Sequence, residues 1–138
     1  MRFIDASVFV HAFIKPKRDL KNSEVKIKNS AKEIVKKIRD GEDVSLTIVQ
    51  LAEIANLLEN NLTLEEAFEA EEFLLFSENI KIHSVAKGDC LRALTTAKSK
   101  KIGLSDAIAY TAMVKNGVNE IYSFDRDFDK LEVKRIER

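Results

Sequence analysis

Arg2-Phe3-Ile4-Asp5-Ala6-Ser7-Val8-Phe9-Val10-His11-Ala12-Phe13 is the stretch that decides the fold. Residues 2–5 read as a short strand, and Ser7 to Phe13 as a short helix, with a carboxylate at the junction. The same arrangement recurs along the chain. Glu53 interrupts Ile48-Val49-Gln50-Leu51-Ala52-Glu53-Ile54-Ala55, and Asp106 opens Ala107-Ile108-Ala109-Tyr110-Thr111-Ala112-Met113-Val114. Asp125 follows Ile121-Tyr122-Ser123-Phe124. A buried carboxylate without a partner is costly, so it takes up a proton or finds a cation. These four segments offer few lysines or arginines, and a divalent metal ion would satisfy all four at once.

Outward from these segments, helices and strands alternate. The loop from Lys15 to Lys21 is polar and basic, and its Pro16 disfavours helix. Asn22 or Ser23 is expected to cap a helix running to Asp40, with Ile27, Ala31, Ile34, Val35 and Ile38 on one face and Gly41 ending it. Val44 to Thr47 reads as a strand, followed by a helix from Ile48 to about Asn60. Thr63-Leu64-Glu65-Glu66 has the spacing of a capping box and starts a helix that reaches Phe76. Ile80-Lys81-Ile82 is a strand, Ser84 caps a helix that stops at Gly103, and Ser105 caps the helix behind Asp106. Glu120 to Phe124 is a fourth strand. A helical turn from Asp125 then leads to an edge strand at Glu132 to Arg135.

This alternation predicts an α/β fold, with a mainly parallel sheet of four to five strands and helices on both faces. One domain over 1–138 is expected. Sites in such sheets form beyond the carboxyl ends of the strands, where Asp5 and Asp125 stand. Lys plus Arg and Asp plus Glu number 23 each, so a globally basic nucleic-acid binder is not indicated. The single cysteine, Cys90, excludes an internal disulfide framework. The early charge at Arg2 and Asp5 speaks against a secretory leader, and no apolar run approaches the ~20 residues of a membrane span. The expectation is a soluble, cytoplasmic protein.

Each acidic residue also has an ordinary reading. Asp5 is suited to cap the helix after it. Glu53 lies roughly opposite the main apolar face of its helix, yet Val49 and Leu57 flank it at helical spacing. Asp106 makes the strongest case for a site, because the helix behind it is apolar nearly all round. In Asp125-Arg126-Asp127-Phe128-Asp129, Asp125 is nearest the strand end and is the site choice. Asp127 and Asp129 are expected to be solvated, with Asp129 the reserve candidate. His11 and His83 lack any Cys or His neighbour at zinc spacing, and no phosphate-binding glycine motif occurs. The Lys15–Lys21 loop reads equally as solvated surface or as an RNA contact. In the helix ending at Phe76, Phe68, Phe73 and Phe76 lie among five glutamates, either as core or as an apolar surface for a partner helix.

The ordered set resembles the PIN domain, and within it the VapC-type toxin ribonucleases. The resemblance rests on the strand before Asp5-Ala6-Ser7, on Glu53 in Val49-Gln50-Leu51-Ala52-Glu53-Ile54, on Leu104-Ser105-Asp106-Ala107, and on Ser123-Phe124-Asp125-Arg126-Asp127. It implies a three-layer sandwich and a metal-dependent endoribonuclease. Asp5, Asp106 and Asp125 would then be ligands of Mg²⁺ or Mn²⁺, with Glu53 a further ligand or the group that orients the attacking water. Ser7 and Ser123 would support the ligands or touch substrate. It further implies an RNA substrate, a homodimer and a cognate antitoxin. Two rivals stand beside it: an inactive PIN-like RNA-binding or scaffold module, and a phosphatase of the haloacid dehalogenase type. The latter wants a second aspartate where Ser7 stands.

Overall fold

A computed structural model describes residues 1–138. Its strands are β1 (Arg2–Ile4), β2 (Val44–Thr47), β3 (Ile80–His83), β4 (Glu120–Tyr122) and β5 (Lys134–Ile136). They form one sheet in the order β3-β2-β1-β4-β5, and every neighbouring pair is parallel. The expected four to five strands are five, and the sheet is parallel throughout. The helices are α1 (Ala6–Phe13), α2 (Asn22–Arg39), α3 (Ile48–Asn61), α4 (Leu64–Phe76), α5 (Lys87–Lys100) and α6 (Leu104–Lys115), with a 3-10 turn at Arg126–Lys130.

The central strand β1 is short but apolar on both faces, with Phe3 and Ile4 fully buried. A strand covered by helices on both sides has this composition. From β1 the chain steps to β2 and β3 on one side, then crosses back over β1 to β4 and β5. Right-handed crossovers in opposite directions put the helices of the two halves on opposite faces. The core is accordingly layered, with Ile34, Ile38, Leu46, Ile54, Leu58, Leu74 and Met113 all fully buried.

Three helix starts differ from expectation, those of α2 and α5 for one shared reason. At α2 the Lys21 N–H donates to Glu24 (3.2 Å), so neither Asn22 nor Ser23 is the cap. At α5 the Ala86 N–H donates to Asp89 (2.8 Å), and Ser84 lies outside the helix. An acid in the first turn, reaching back, does the work expected of a serine ahead of it. The helix α6 begins at Leu104 after Gly103, so Ser105 lies inside its first turn. Helix α5 ends at Lys101, which takes the left-handed conformation (φ 56°), and not at Gly103. The Thr63–Glu66 capping box is present as read, and Gly41 follows α2 at φ 112°. The last strand begins two residues later than expected, at Lys134.

A polar network fastens the sheet away from the acidic residues. Arg2 donates to the Tyr122 hydroxyl (2.6 Å), which donates to Glu42 (2.8 Å). The Arg2 guanidinium also lies 5.0 Å from the Tyr122 ring centroid.

Candidate metal centre

Strand pairing brings the two ends of the chain together. Ile4 lies beside Tyr122, and the Asp5 N–H donates to the Tyr122 carbonyl (2.9 Å). The residues that follow β1 and β4 therefore emerge side by side at the carboxyl end of the sheet. Asp5 is 5 % exposed. It caps α1 by accepting the Ser7 N–H (3.3 Å), and it accepts the Ser123 hydroxyl (2.8 Å). The cap reading and the cleft reading thus hold together. Burial pushes its carboxyl above the usual range, and the charge of Asp125 adds to this; the donors on Ser7 and Ser123 oppose it.

The two serines connect the strand ends. The Ser7 hydroxyl accepts the Phe124 N–H (3.0 Å) and lies 3.4 Å from the Ser123 hydroxyl. The Ser123 hydroxyl accepts the Asp125 N–H (3.0 Å). Asp125 in turn caps the 3-10 turn by accepting the Asp127 N–H (2.9 Å). One chain of hydrogen bonds therefore fixes Asp5, Ser7, Ser123 and Asp125 relative to one another.

Asp106 enters from the first turn of α6, where the helix dipole favours an anion. Asp106, Asp125 and Asp127 each place a carboxylate oxygen within 4.8 Å of the other two. Burial pushes the Asp106 carboxyl up to about 7, helped by the charges of Asp5, Asp125, Glu53 and Asp127 in that order. Glu53, half-buried on α3, is near enough to act on Asp106 but stands outside the group of three. Asp5, Glu53, Asp106 and Asp125, drawn from four separate segments, thus face one region.

Asp127 and Asp129 were both expected to be solvated, with Asp129 in reserve, and it is Asp127 that lies with Asp106 and Asp125. Asp129 is turned to Arg135, accepting from its Nε (2.9 Å) and Nη2 (3.3 Å), and that guanidinium holds its carboxyl below the usual range. Asp127 joins the group of three, and its other contact is Lys130 at 3.2 Å. A 3-10 turn has three residues per turn, so side chains two apart point about 120° away from each other. A helical turn after Asp125 was legible, but its tighter pitch and the reach of Arg135 from β5 were not.

Other candidates fall elsewhere. His11 packs edge-on against the Phe124 ring (5.4 Å), and burial, then Lys28, lowers its pKa. In the basic loop, Arg18 pairs with Glu24. Gln50, passed over in the sequence, is buried at 2 % exposure beside the site and bonds to the Ser105 carbonyl (2.9 Å). Its signal was the spacing Thr47-x-x-Gln50, a second capping box.

The donor set is all oxygen, anionic and concentrated at one end of the sheet. That chemistry fits a hard divalent cation such as Mg²⁺, which takes one or two carboxylates and keeps several waters. The Asp106 carboxyl is raised first by burial and then by neighbouring negative charge, and such a cation would offset that charge.

The family model of the PIN domain matches residues 2–134. No curated protein sequence matches the chain. Among solved structures, the chain is similar to Mycobacterium tuberculosis VapC20, a Sarcin-Ricin loop cleaving toxin, at 20 % identity and TM-score 0.72, covering 96 % of this chain and 98 % of that one. It is also similar to FitAcB from Neisseria gonorrhoeae (15 % identity, TM-score 0.62, 99 % and 96 % covered). A third likeness is to VapBC2 from Rickettsia felis, solved bound to a DNA fragment from its promoter (13 % identity, TM-score 0.63, 98 % and 96 % covered).

Proposed function

The chain belongs to the PIN-domain family, and from that premise we propose a metal-dependent endoribonuclease, the toxin of a toxin–antitoxin pair. The observation that carries the reading is the convergence of Asp106, Asp125 and Asp127 within 4.8 Å, with Asp106 pushed up to about 7. These three would hold Mg²⁺ or Mn²⁺, with Asp5 and Glu53 acting beside them, through water or on a second ion. When bound, the ion offsets charge on the phosphoryl oxygens, lowers the pKa of an attacking water and steadies the leaving oxygen.

The protein's own groups prepare that chemistry. The Ser123 hydroxyl donates to Asp5 and accepts the Asp125 N–H, and the Ser7 hydroxyl accepts the Phe124 N–H, as supporting hydrogen bonds do in metal sites. Asp106 carries a proton for part of the time near neutrality, and it must release that proton to serve as a ligand. Cation affinity should therefore rise as pH passes through about 7. Glu53, outside the group of three, would ligate a second ion or orient the attacking water.

An antitoxin partner fits the surface of α4. Leu64, Phe68 and Leu75 share one helical stripe, exposed at 55, 49 and 57 %, and Phe76 beside them is 80 % exposed. Ala67, Ala70 and Leu74 already bury another face of the same helix. The exposed stripe is of the kind that takes an apolar helix or a second copy of the chain. No helix is long and apolar enough to cross a membrane, and the reading puts the protein with RNA in the cytoplasm. The test is to incubate purified protein with several RNAs, with Mn²⁺, with Mg²⁺ and with EDTA. Cleavage that EDTA and Asp106→Asn abolish supports the reading. A protein inert on every RNA in Mn²⁺ would be a scaffold or RNA-binding module.

A further inference from the structure

Four helices start with a side chain that reaches back to the backbone ahead of them. At three of them the group is a carboxylate on the surface: Glu24 to the Lys21 N–H, Glu66 to the Thr63 N–H and Asp89 to the Ala86 N–H. At α3 it is an amide, and it is buried. The Gln50 oxygen accepts the Thr47 N–H (3.2 Å) and the Thr47 hydroxyl. An oxygen alone suffices for that task, as the three carboxylates demonstrate. The amide nitrogen does something else: it donates 2.9 Å to the Ser105 carbonyl, 55 residues away at the start of α6.

The position of that bond matters. The Ser105 carbonyl belongs to the peptide that joins Ser105 to Asp106. Glu53 lies one helical turn beyond Gln50, on the same side of α3. One side chain therefore ties the backbone of Asp106 to the turn that carries Glu53. Charge on the two carboxylates opposes their close approach, and this bond joins the ends of α3 and α6 that carry them. A glutamate at position 50 would keep the bond to Thr47, but it would turn an acceptor toward an acceptor at Ser105 and add charge beside the acidic group.

We propose that Gln50 is a positioning residue whose amide sets the spacing of Glu53 and Asp106, and through it the affinity of the site for a divalent cation. This rests on the metal-dependent reading above. The test is Mn²⁺ titration calorimetry, paired with amide hydrogen exchange, on the wild type, Gln50→Leu, Gln50→Glu and the remote control Glu66→Gln. Both Gln50 variants should bind Mn²⁺ about 10–100-fold more weakly, the usual effect of losing a group that orients a ligand. Glu66→Gln should match the wild type. Exchange at Ala107 to Tyr110 should quicken in the Gln50 variants while β1 and β2 stay protected. Loss of the α3 cap alone would loosen α3 and leave α6 unchanged. Wild-type Mn²⁺ affinity in Gln50→Leu overturns the proposal. If the wild type itself binds no Mn²⁺, the nuclease reading falls separately, and exchange decides for the fastening: quickened at Ala107 to Tyr110 it stands, unchanged it falls. Should Gln50→Glu not fold, the apolar Gln50→Leu carries the same readouts.

Discussion

Replacing Asp106 by asparagine should make the metal-free protein more stable while removing the metal-dependent RNA cleavage proposed above. The Asp106 carboxyl is raised from 3.8 to about 7, first by burial and then by its acidic neighbours. Fully realised, that displacement corresponds to about 4 kcal/mol. The side chain is only half-buried, and water screens it, so about 1–2 kcal/mol is the expected share. The sign follows from proton linkage. The folded protein holds this proton more tightly than the unfolded chain does, so stability is fully present below pH about 4 and is lost as pH rises through about 7. Asparagine never bears the charge, so the variant's advantage should be absent at pH 4 and complete at pH 8. For a chain of this size that gain corresponds to a Tm about 3–8 °C higher. The assay is thermal unfolding in EDTA at pH 4, 6 and 8, followed by the same scans in Mn²⁺, where the wild type should gain and the variant should not. A variant no more stable than wild type at pH 8, or equally favoured at pH 4, would refute the charge argument.

Wild-type Tm should rise with added Mn²⁺ or Mg²⁺, by an amount equivalent to about 2.7 kcal/mol at a hundred times Kd; a flat Tm across a titration would remove the metal. Asp127→Asn should weaken Mn²⁺ binding about tenfold or more by calorimetry, whereas Asp129→Asn should change it less than about twofold, since Asp129 is turned to Arg135 and stands outside the group of three. Equal effects of the two would reverse their assignment. Tyr122→Phe should cost about 1–3 kcal/mol in urea unfolding, because it removes the hydroxyl that bonds both Arg2 and Glu42, and should leave Mn²⁺ affinity as it is. Phe68→Glu should leave Tm within a degree or two and abolish co-purification with the product of the neighbouring open reading frame; undiminished co-purification would move the partner off α4.

The fold was legible because its signals are local and repeated. Val44 to Thr47 alternates apolar and polar residues between turns, the strand expected from Glu120 to Phe124 starts where expected and ends at Tyr122, and the α2 stripe keeps helical spacing from Ile27 to Ile38. The acidic positions were legible because a carboxylate at the end of an apolar run has few ordinary explanations. What escaped depended on partners distant in sequence. Asp129 is drawn from the cluster by Arg135, and Gln50 gains its second role from a carbonyl on another helix. The helix starts escaped for a different reason. A serine ahead of a helix and an acid within its first turn are alternative ways to satisfy the same N–H groups, and the sequence holds both.

The parallel pairing of β1 with β4 joins residues more than a hundred positions apart. Until β4 has left the ribosome, Asp5 lacks the Ser123 hydroxyl, and Phe3 and Ile4 lack a neighbour on one edge. Pairings this remote form late and slowly compared with local helices. A nascent chain halted anywhere before Asp125 therefore carries folded helices but no assembled acidic group. Timing is thus written into strand order: the acidic residues come together only after β4 has been made and has paired with β1.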